Sequence, residues 1–231
     1  MSHAFQAHLE ILPEAQWRLW PELRPASQLG FVLYGGTAIA LRLGHRSSVD
    51  FDFFTDQPLD RSAIHTAFPF LDRSLVLQDQ PDTFTVVVPC GDSHDHPVKV
   101  SFFGAIGFGR VGEPELTHDR VLQVASPDDL MATKLKVLLQ RVEAKDYQDI
   151  AALIKAGVSL EGGLAAARAM YGHNFQPSES LKALVYFAGG DLDSLARPER
   201  ETLIKAVKAV RKLPTVKILA HNLSRHCAGF H

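Results

Sequence analysis

The sequence predicts an α+β fold: an N-terminal lobe, residues 1–125, on a mixed and mainly antiparallel sheet, followed by a C-terminal helical lobe, residues 126–231. Three observations predict it. Between Phe31 and Phe103, short β-branched and aromatic runs alternate with Gly, Pro and Asp punctuation, the mark of strands joined by turns. From Ser126-Pro127-Asp128-Asp129 onward the pattern turns helical, with a cap-forming serine, a proline at the first helical position and acids behind it. The length of 231 residues allows two lobes at about 100–200 residues per domain.

Taken in order, Pro13–Trp20 reads as a helix that Pro21 ends or kinks, with Trp17 and Trp20 three apart on a face that packs on the sheet. Phe31-Val32-Leu33-Tyr34 is the first strand. It ends at Gly35-Gly36-Thr37, a turn that opens a short helix, and Gly44-His45-Arg46 leads into a second strand. Alternation along that strand puts Asp50 and Asp52 on one face, and Val49, Phe51 and Phe53 on the other. Asp60 caps a helix running to Phe68, and Ser74–Gln78, Thr83–Val88 and Val98–Phe103 form an antiparallel meander. The loop Gly91-Asp92-Ser93-His94-Asp95-His96-Pro97 reads as a turn, because neighbouring residues in a polar loop rarely converge on one ion. Helices after Ser126 are punctuated at Gly157, Gly162-Gly163, Gly172, Pro177, Gly189-Gly190, Pro198 and Pro214.

Composition excludes several classes. With 46% hydrophobic and 22% charged residues the chain is not disordered, and with two cysteines, Cys90 and Cys227, it is not a disulfide scaffold. No apolar run approaches the ~20 residues of a membrane-spanning helix, so a cytoplasmic protein without a membrane partner is expected. The net charge of -2 argues against a uniformly basic nucleic-acid binder, yet charge is unevenly placed. Residues 50–95 hold nine aspartates against Arg61 and Arg73, a balance of -7, while residues 197–225 hold eight Lys or Arg against Glu199 and Glu201, a balance of +6. A metal site beside a polyanion-binding surface has this distribution.

The chemistry concentrates between Tyr34 and Phe54. Two carboxylates on one strand face, beside a glycine turn whose free amides sit at a helix N-terminus, suit a cation and a phosphate together. Mg²⁺ prefers oxygen ligands and is commonly held by one or two carboxylates plus substrate phosphates. Arg46 either touches phosphate or pairs with Asp50 or Asp52. Farther on, Lys134 and Arg141 are seven apart, which returns them to one helix face, and Asp146, Asp149 and Leu153 share a face of the next helix. Tyr147 reads as a packing residue.

Gly35-Gly36-Thr37 followed by Asp50-x-Asp52 resembles the nucleotidyltransferase signature of the polymerase-beta superfamily. The fuller run, Leu41-Arg42-Leu43-Gly44-His45-Arg46 with Asp50-Phe51-Asp52-Phe53-Phe54 and then Lys134-Leu135 to Arg141 and Lys145-Asp146-Tyr147-x-Asp149-Ile150, is similar to the AbiEii/AbiGii toxin family. The resemblance implies a polymerase-beta-like N-terminal lobe and a Mg²⁺- or Mn²⁺-dependent transfer of nucleotide from an NTP to an acceptor hydroxyl. It further implies RNA, transfer RNA in particular, as acceptor, and a cognate antitoxin as partner. Asp50 and Asp52 would hold metal; Gly35, Gly36, Thr37, Arg46, Lys134 and Arg141 would meet the nucleotide; Asp50, Asp52, Lys134 and Asp146 would be catalytic. One departure stands out: such enzymes carry a third carboxylate on a later strand, and its place here falls to Ser101. Asp146 is then the expected stand-in base, and a weakly active or inactive nucleotide- or RNA-binding protein is the alternative.

Overall fold

The computed structural model describes residues 4–89 and 97–225, so the loop from Cys90 to His96 and Cys227 lie outside the described residues. The chain divides into two compact units. One takes in the chain up to Gly109, Glu113–Ala125 and the chain from Ala220; the other takes in Arg110–Gly112 and Ser126–Leu219.

In the first unit β1 (Ala4–Phe5) precedes α1 (Glu14–Leu19), α2 (Pro25–Gln28), β2 (Val32–Tyr34), α3 (Gly35–Leu43) and β3 (Asp50–Phe54). Then follow α4 (Arg61–Ala67), β4 (Leu75–Gln80), β5 (Thr83–Val88), β6 (Val98–Phe103), β7 (Glu115–Thr117) and β8 (Gln123–Val124). The strands form one mixed sheet in the order β1-β7-β8-β2-β3-β6-β5-β4. The expected meander is present as β4, β5 and β6, each antiparallel to the next. β3 sits between β2, to which it is antiparallel, and β6, to which it is parallel.

Aromatic side chains fix the buried face of this sheet. Phe102 on β6 lies 5.5 Å from Phe53, 5.2 Å from Phe31 and 5.2 Å from Phe68, ring centre to ring centre. All four are fully or nearly fully buried, and each contributes about 1.5–3 kcal/mol of transfer free energy. β4, at one edge of the sheet, is exposed along its whole length, Leu75, Val76 and Leu77 included.

Several expectations need correction. Trp20 is buried but Trp17 is 53% exposed, because α1 ends at Leu19 and a tight 3-10 turn over Trp20–Leu23 redirects the chain. Val49 is 49% exposed and precedes β3 instead of sharing its apolar face. β1, β7 and β8, two or three residues each, had no signature in the sequence.

The second unit is helical: α5 (Pro127–Val137), α6 (Ala144–Lys155), α7 (Leu160–Tyr171), α8 (Pro177–Ala183) and α9 (Arg197–Ala209). Ser126 is the expected N-cap, its hydroxyl accepting from the Asp129 amide at 3.1 Å. Gly162-Gly163 lies inside α7 and does not punctuate it: a Cβ at Gly163 would fall 2.2 Å from Met131 Cγ, so the missing side chain lets α7 approach α5 closely. The run of helices stops at Ala209, and residues 210–219 have no regular secondary structure. Among the described residues no helix is long and apolar enough to cross a membrane.

Candidate functional site

The register of the central strands builds a polar row on the open face of the first unit's sheet. Asp50 on β3 is opposite Lys99 on β6, and Asp52 is opposite Ser101 on β6 and Tyr34 on β2. Asp50 and Asp52 are partly exposed while Phe51 and Phe53 between and beside them are fully buried, as alternation requires. Lys99 Nζ lies 3.0 Å from Asp50 Oδ2. The next pair along the same face is aromatic: Phe54 is opposite Phe103, their rings 5.1 Å apart, and Tyr34 stacks on Phe54 at 4.9 Å.

The glycine turn is fitted against this row. Gly35 has φ +75°, and a Cβ there would stand 2.6 Å from Asp52 Oδ2; at Gly36 it would stand 2.5 Å from a guanidinium nitrogen of Arg46. Asp52 and Arg46 therefore press on adjacent residues of the turn, at the start of α3. Tyr34, the N-cap of α3, makes no side-chain cap, so the first-turn amides are not claimed by a capping side chain. Thr37 is 1% exposed, and its hydroxyl donates to the Asp50 carbonyl and lies 2.9 Å from Ser48 Oγ. Its side chain braces the start of β3, so only its backbone amide is left for an anion. Gly35→Ala combines a strained φ with a clash, and we expect it to lower stability by about 1–3 kcal/mol and to displace the Asp52 carboxylate. Thermal melting and Mn²⁺ titration check this; wild-type values in both would show the turn to be permissive.

The donor set fits one hard cation. Two carboxylates and a hydroxyl offer oxygen alone, and no described residues bring three His, Cys, Asp or Glu together around one ion. A site of this kind suits Mg²⁺ or Mn²⁺ that keeps waters and takes phosphate oxygens as further ligands, and does not suit an all-protein cage.

Arg42, within the Leu41–Arg46 run, has a structural task. Its side chain is 7% exposed, donates to the carbonyls of Ala125 at 2.9 Å and Val124 at 3.1 Å, and pairs with Glu115 at 2.7 Å. It ties α3 to the short strands β7 and β8.

Lys134, Arg141, Asp146 and Asp149 come together in the second unit. Lys134 Nζ lies 2.7 Å from Asp146 Oδ1 and 2.6 Å from Asp149 Oδ2, with both carboxylates fully buried. Arg141 donates to Asp146 Oδ2 from Nε at 2.8 Å and to Oδ1 from Nη2 at 3.1 Å. It does so from the turn after α5, which ends at Val137, and not from the helix face that the seven-residue spacing suggested. Burial alone would raise the Asp146 pKa, but hydrogen bonding from Arg141 and the charge and hydrogen bond of Lys134 outweigh it and hold the carboxyl below its ordinary range. A buried carboxylate with both oxygens held by cations is a poor proton acceptor, which argues against the expected role of Asp146 as base and favours that of an ion-pair hub. Lys134, 6% exposed, is likewise committed to that hub. Tyr147 packs as expected, its hydroxyl donating to the Ala183 carbonyl at 3.2 Å.

Asp129 was not singled out from the sequence. It is 1% exposed, accepts from the Val111 amide at 2.8 Å and the Gly112 amide at 3.3 Å, and receives Ser126 Oγ at 2.6 Å. Burial pushes its carboxyl up despite these bonds. Its position three residues after the cap serine was the available signal.

The basic stretch is partly committed. Arg197 pairs with Glu201 at 2.7 Å, Arg225 pairs with Glu113 at 3.0 Å, and Arg200 donates to the carbonyls of Leu192, Asp193 and Leu195. Lys205, Lys208, Lys212 and Lys217 are exposed.

Comparison with known proteins identifies a family and similar folds. The family described as nucleotidyl transferase AbiEii toxin, type IV TA system, matches residues 19–221. Uncharacterized protein aq_aa25 of Aquifex aeolicus strain VF5 is 32% identical over 160 residues, 68% of this chain and 73% of that protein. MenT4, a nucleotidyltransferase toxin of Mycobacterium tuberculosis H37Rv, superposes with a TM-score of 0.57 at 15% identity, covering 84% of this chain and 82% of that one. An antigenic nucleotidyltransferase-like protein of Paracoccidioides brasiliensis superposes with a TM-score of 0.50 at 16% identity, covering 83% and 94%.

Proposed function

The chain belongs to the AbiEii nucleotidyl transferase toxin family, and from that premise we propose that it moves a nucleoside monophosphate from an NTP to a hydroxyl of RNA, with transfer RNA the first acceptor to test. The observation that carries the reading is the side-by-side placement of Asp50 and Asp52 on β3 with Asp52 pressed against the Gly35 turn. Asp50 and Asp52 would hold Mg²⁺ or Mn²⁺, which supplies Lewis-acid polarisation of the triphosphate when bound. The amides of Gly36 and Thr37 at the start of α3, with the Arg46 guanidinium behind them, bind and orient the phosphates. The acceptor oxygen forms its bond to the α-phosphorus as the bond to the β-phosphate oxygen breaks; pyrophosphate leaves and the acceptor proton passes to solvent. The cytoplasm, which holds both NTP and RNA, is the compartment for this work, and a cognate antitoxin is the partner that a type IV system suggests.

The test is incubation with each labelled NTP, Mg²⁺ and total RNA. Label on RNA supports the reading. A second reading, a nucleotide- or RNA-binding protein that keeps the fold with little transfer, is favoured by Ser101 opposite Asp52 and by the buried Asp146. Nucleotide binding without any labelled product would select it.

The exposed lysines of α9 and the segment after it are the proposed RNA-binding surface. Changing Lys205, Lys208 and Lys212 together to Glu is expected to weaken RNA binding at least tenfold. It should also flatten the dependence of log affinity on log salt, by roughly 0.7 for each phosphate no longer neutralised. Equal affinity and slope in filter binding would remove this surface from the reading.

A further inference from the structure

We propose that Lys99 is the built-in counter-charge of the acidic row: it keeps the affinity for free divalent cation low, so that the cation enters together with the nucleotide, and then turns to the nucleotide's phosphates. The second half of this rests on the transferase reading; the first does not. β6 runs parallel to β3 with Lys99 directly opposite Asp50, and the ammonium is 3.0 Å from Asp50 Oδ2. This face of the sheet therefore sets two carboxylates and the hydroxyl of the buried Ser101 against the Lys99 ammonium, with the Arg46 guanidinium at the adjoining glycine turn. A divalent ion seated on Asp50 would lie a few ångströms from that ammonium, and the repulsion between them lowers the affinity of the nucleotide-free site. With Ser101 in place of a carboxylate, the row lacks the charge to overcome this and to hold a second cation.

The pair is also built to open. Lys99 is 41% and Asp50 31% exposed, and an ion pair that open to water contributes little to stability. The lysine head sits on a flexible four-carbon stem, so it can leave Asp50 for a more highly charged partner at small cost. A triphosphate carrying its own cation is such a partner. It brings negative charge for Lys99 and a counter-ion for Asp50 in one step. Lys99 thus takes the place of a second cation in neutralising the phosphates.

The experiment is Mn²⁺ titration of the full chain, followed by electron paramagnetic resonance, without nucleotide and then with a non-hydrolysable NTP analogue. In the absence of nucleotide Lys99→Met is expected to bind Mn²⁺ about tenfold more tightly than wild type. Lys99→Arg, which keeps the charge, should match wild type, and the gain should vanish when Asp50→Asn is added to Lys99→Met. With the analogue present, Lys99→Met should bind nucleotide at least fivefold more weakly. Equal Mn²⁺ affinity in wild type and Lys99→Met overturns the proposal whatever the chain transfers. A gain in Mn²⁺ affinity in a protein that labels no acceptor leaves the counter-charge standing and removes the transferase reading instead.

Discussion

Asp52→Asn is expected to reduce nucleotide transfer by about 10²-fold or more while shifting the melting temperature by no more than about 2 °C, and Asp50→Asn is expected to do the same. Both side chains are partly exposed on the open face of β3, with Phe51 and Phe53 carrying the packing on the other side. Asparagine has the shape of aspartate, so the close fit of Asp52 to Gly35 survives the change. What is lost is one unit of negative charge from an acidic pair that already faces the Lys99 ammonium, 3.0 Å from Asp50. Substitution away from buried contacts costs about 0.5 kcal/mol or less, which is why stability and activity separate here. Transfer is read with labelled NTP and RNA, melting by circular dichroism. Wild-type transfer in either variant would dissociate the acidic row from the chemistry.

How much of this was legible in the sequence depends on the range of the interaction. The acidic strand was legible because alternation is local: once Phe51 and Phe53 are placed inward, Asp50 and Asp52 must face outward. Caps were legible for the same reason. Asp60 accepts from the Ala63 amide at 2.9 Å and Ser126 from the Asp129 amide at 3.1 Å, both three residues away. β1, β7 and β8 were not, since strands of two or three residues are too short to show a period and are held by partners such as Arg42, more than seventy residues distant from Glu115 in the chain. The Lys99–Asp50 pair needed the parallel register of β3 on β6, which no spacing reveals. Thr37 and Asp146 were found as motif positions, but the partners of their side-chain oxygens were not legible, because a motif states which residue is present and not whether its oxygen is already taken.

Asp146 is where that distinction has its largest expected consequence, tested through its partner: Lys134→Met should lower the stability of the chain by about 3–5 kcal/mol. The ammonium is the shared counter-ion of two fully buried carboxylates, at 2.7 Å from Asp146 and 2.6 Å from Asp149. Methionine fills similar volume, so packing is largely kept, but two buried negative charges lose their common cation. Arg141 still holds Asp146 at 2.8 Å. For a chain of this length the loss corresponds to a fall in melting temperature of roughly 6–20 °C. The sign of the pH dependence follows from the depressed Asp146 carboxyl. A group whose pKa is lower folded than unfolded contributes stability that is fully present above the unfolded carboxylate value and is lost as pH falls through the folded one. Wild type should therefore lose stability on the acid side, below the ordinary carboxylate range. Lys134→Met should lose less there, because protonating either buried carboxylate relieves part of the cost of removing the shared ammonium. Asp146→Asn completes the comparison. As an ion-pair hub it should melt at a lower temperature and lose part of the acid-side dependence, with transfer falling only as far as the folded fraction falls. If Asp146→Asn instead melts like wild type over the whole pH range and transfers no nucleotide, the residue acts on the chemistry directly and the hub assignment is wrong.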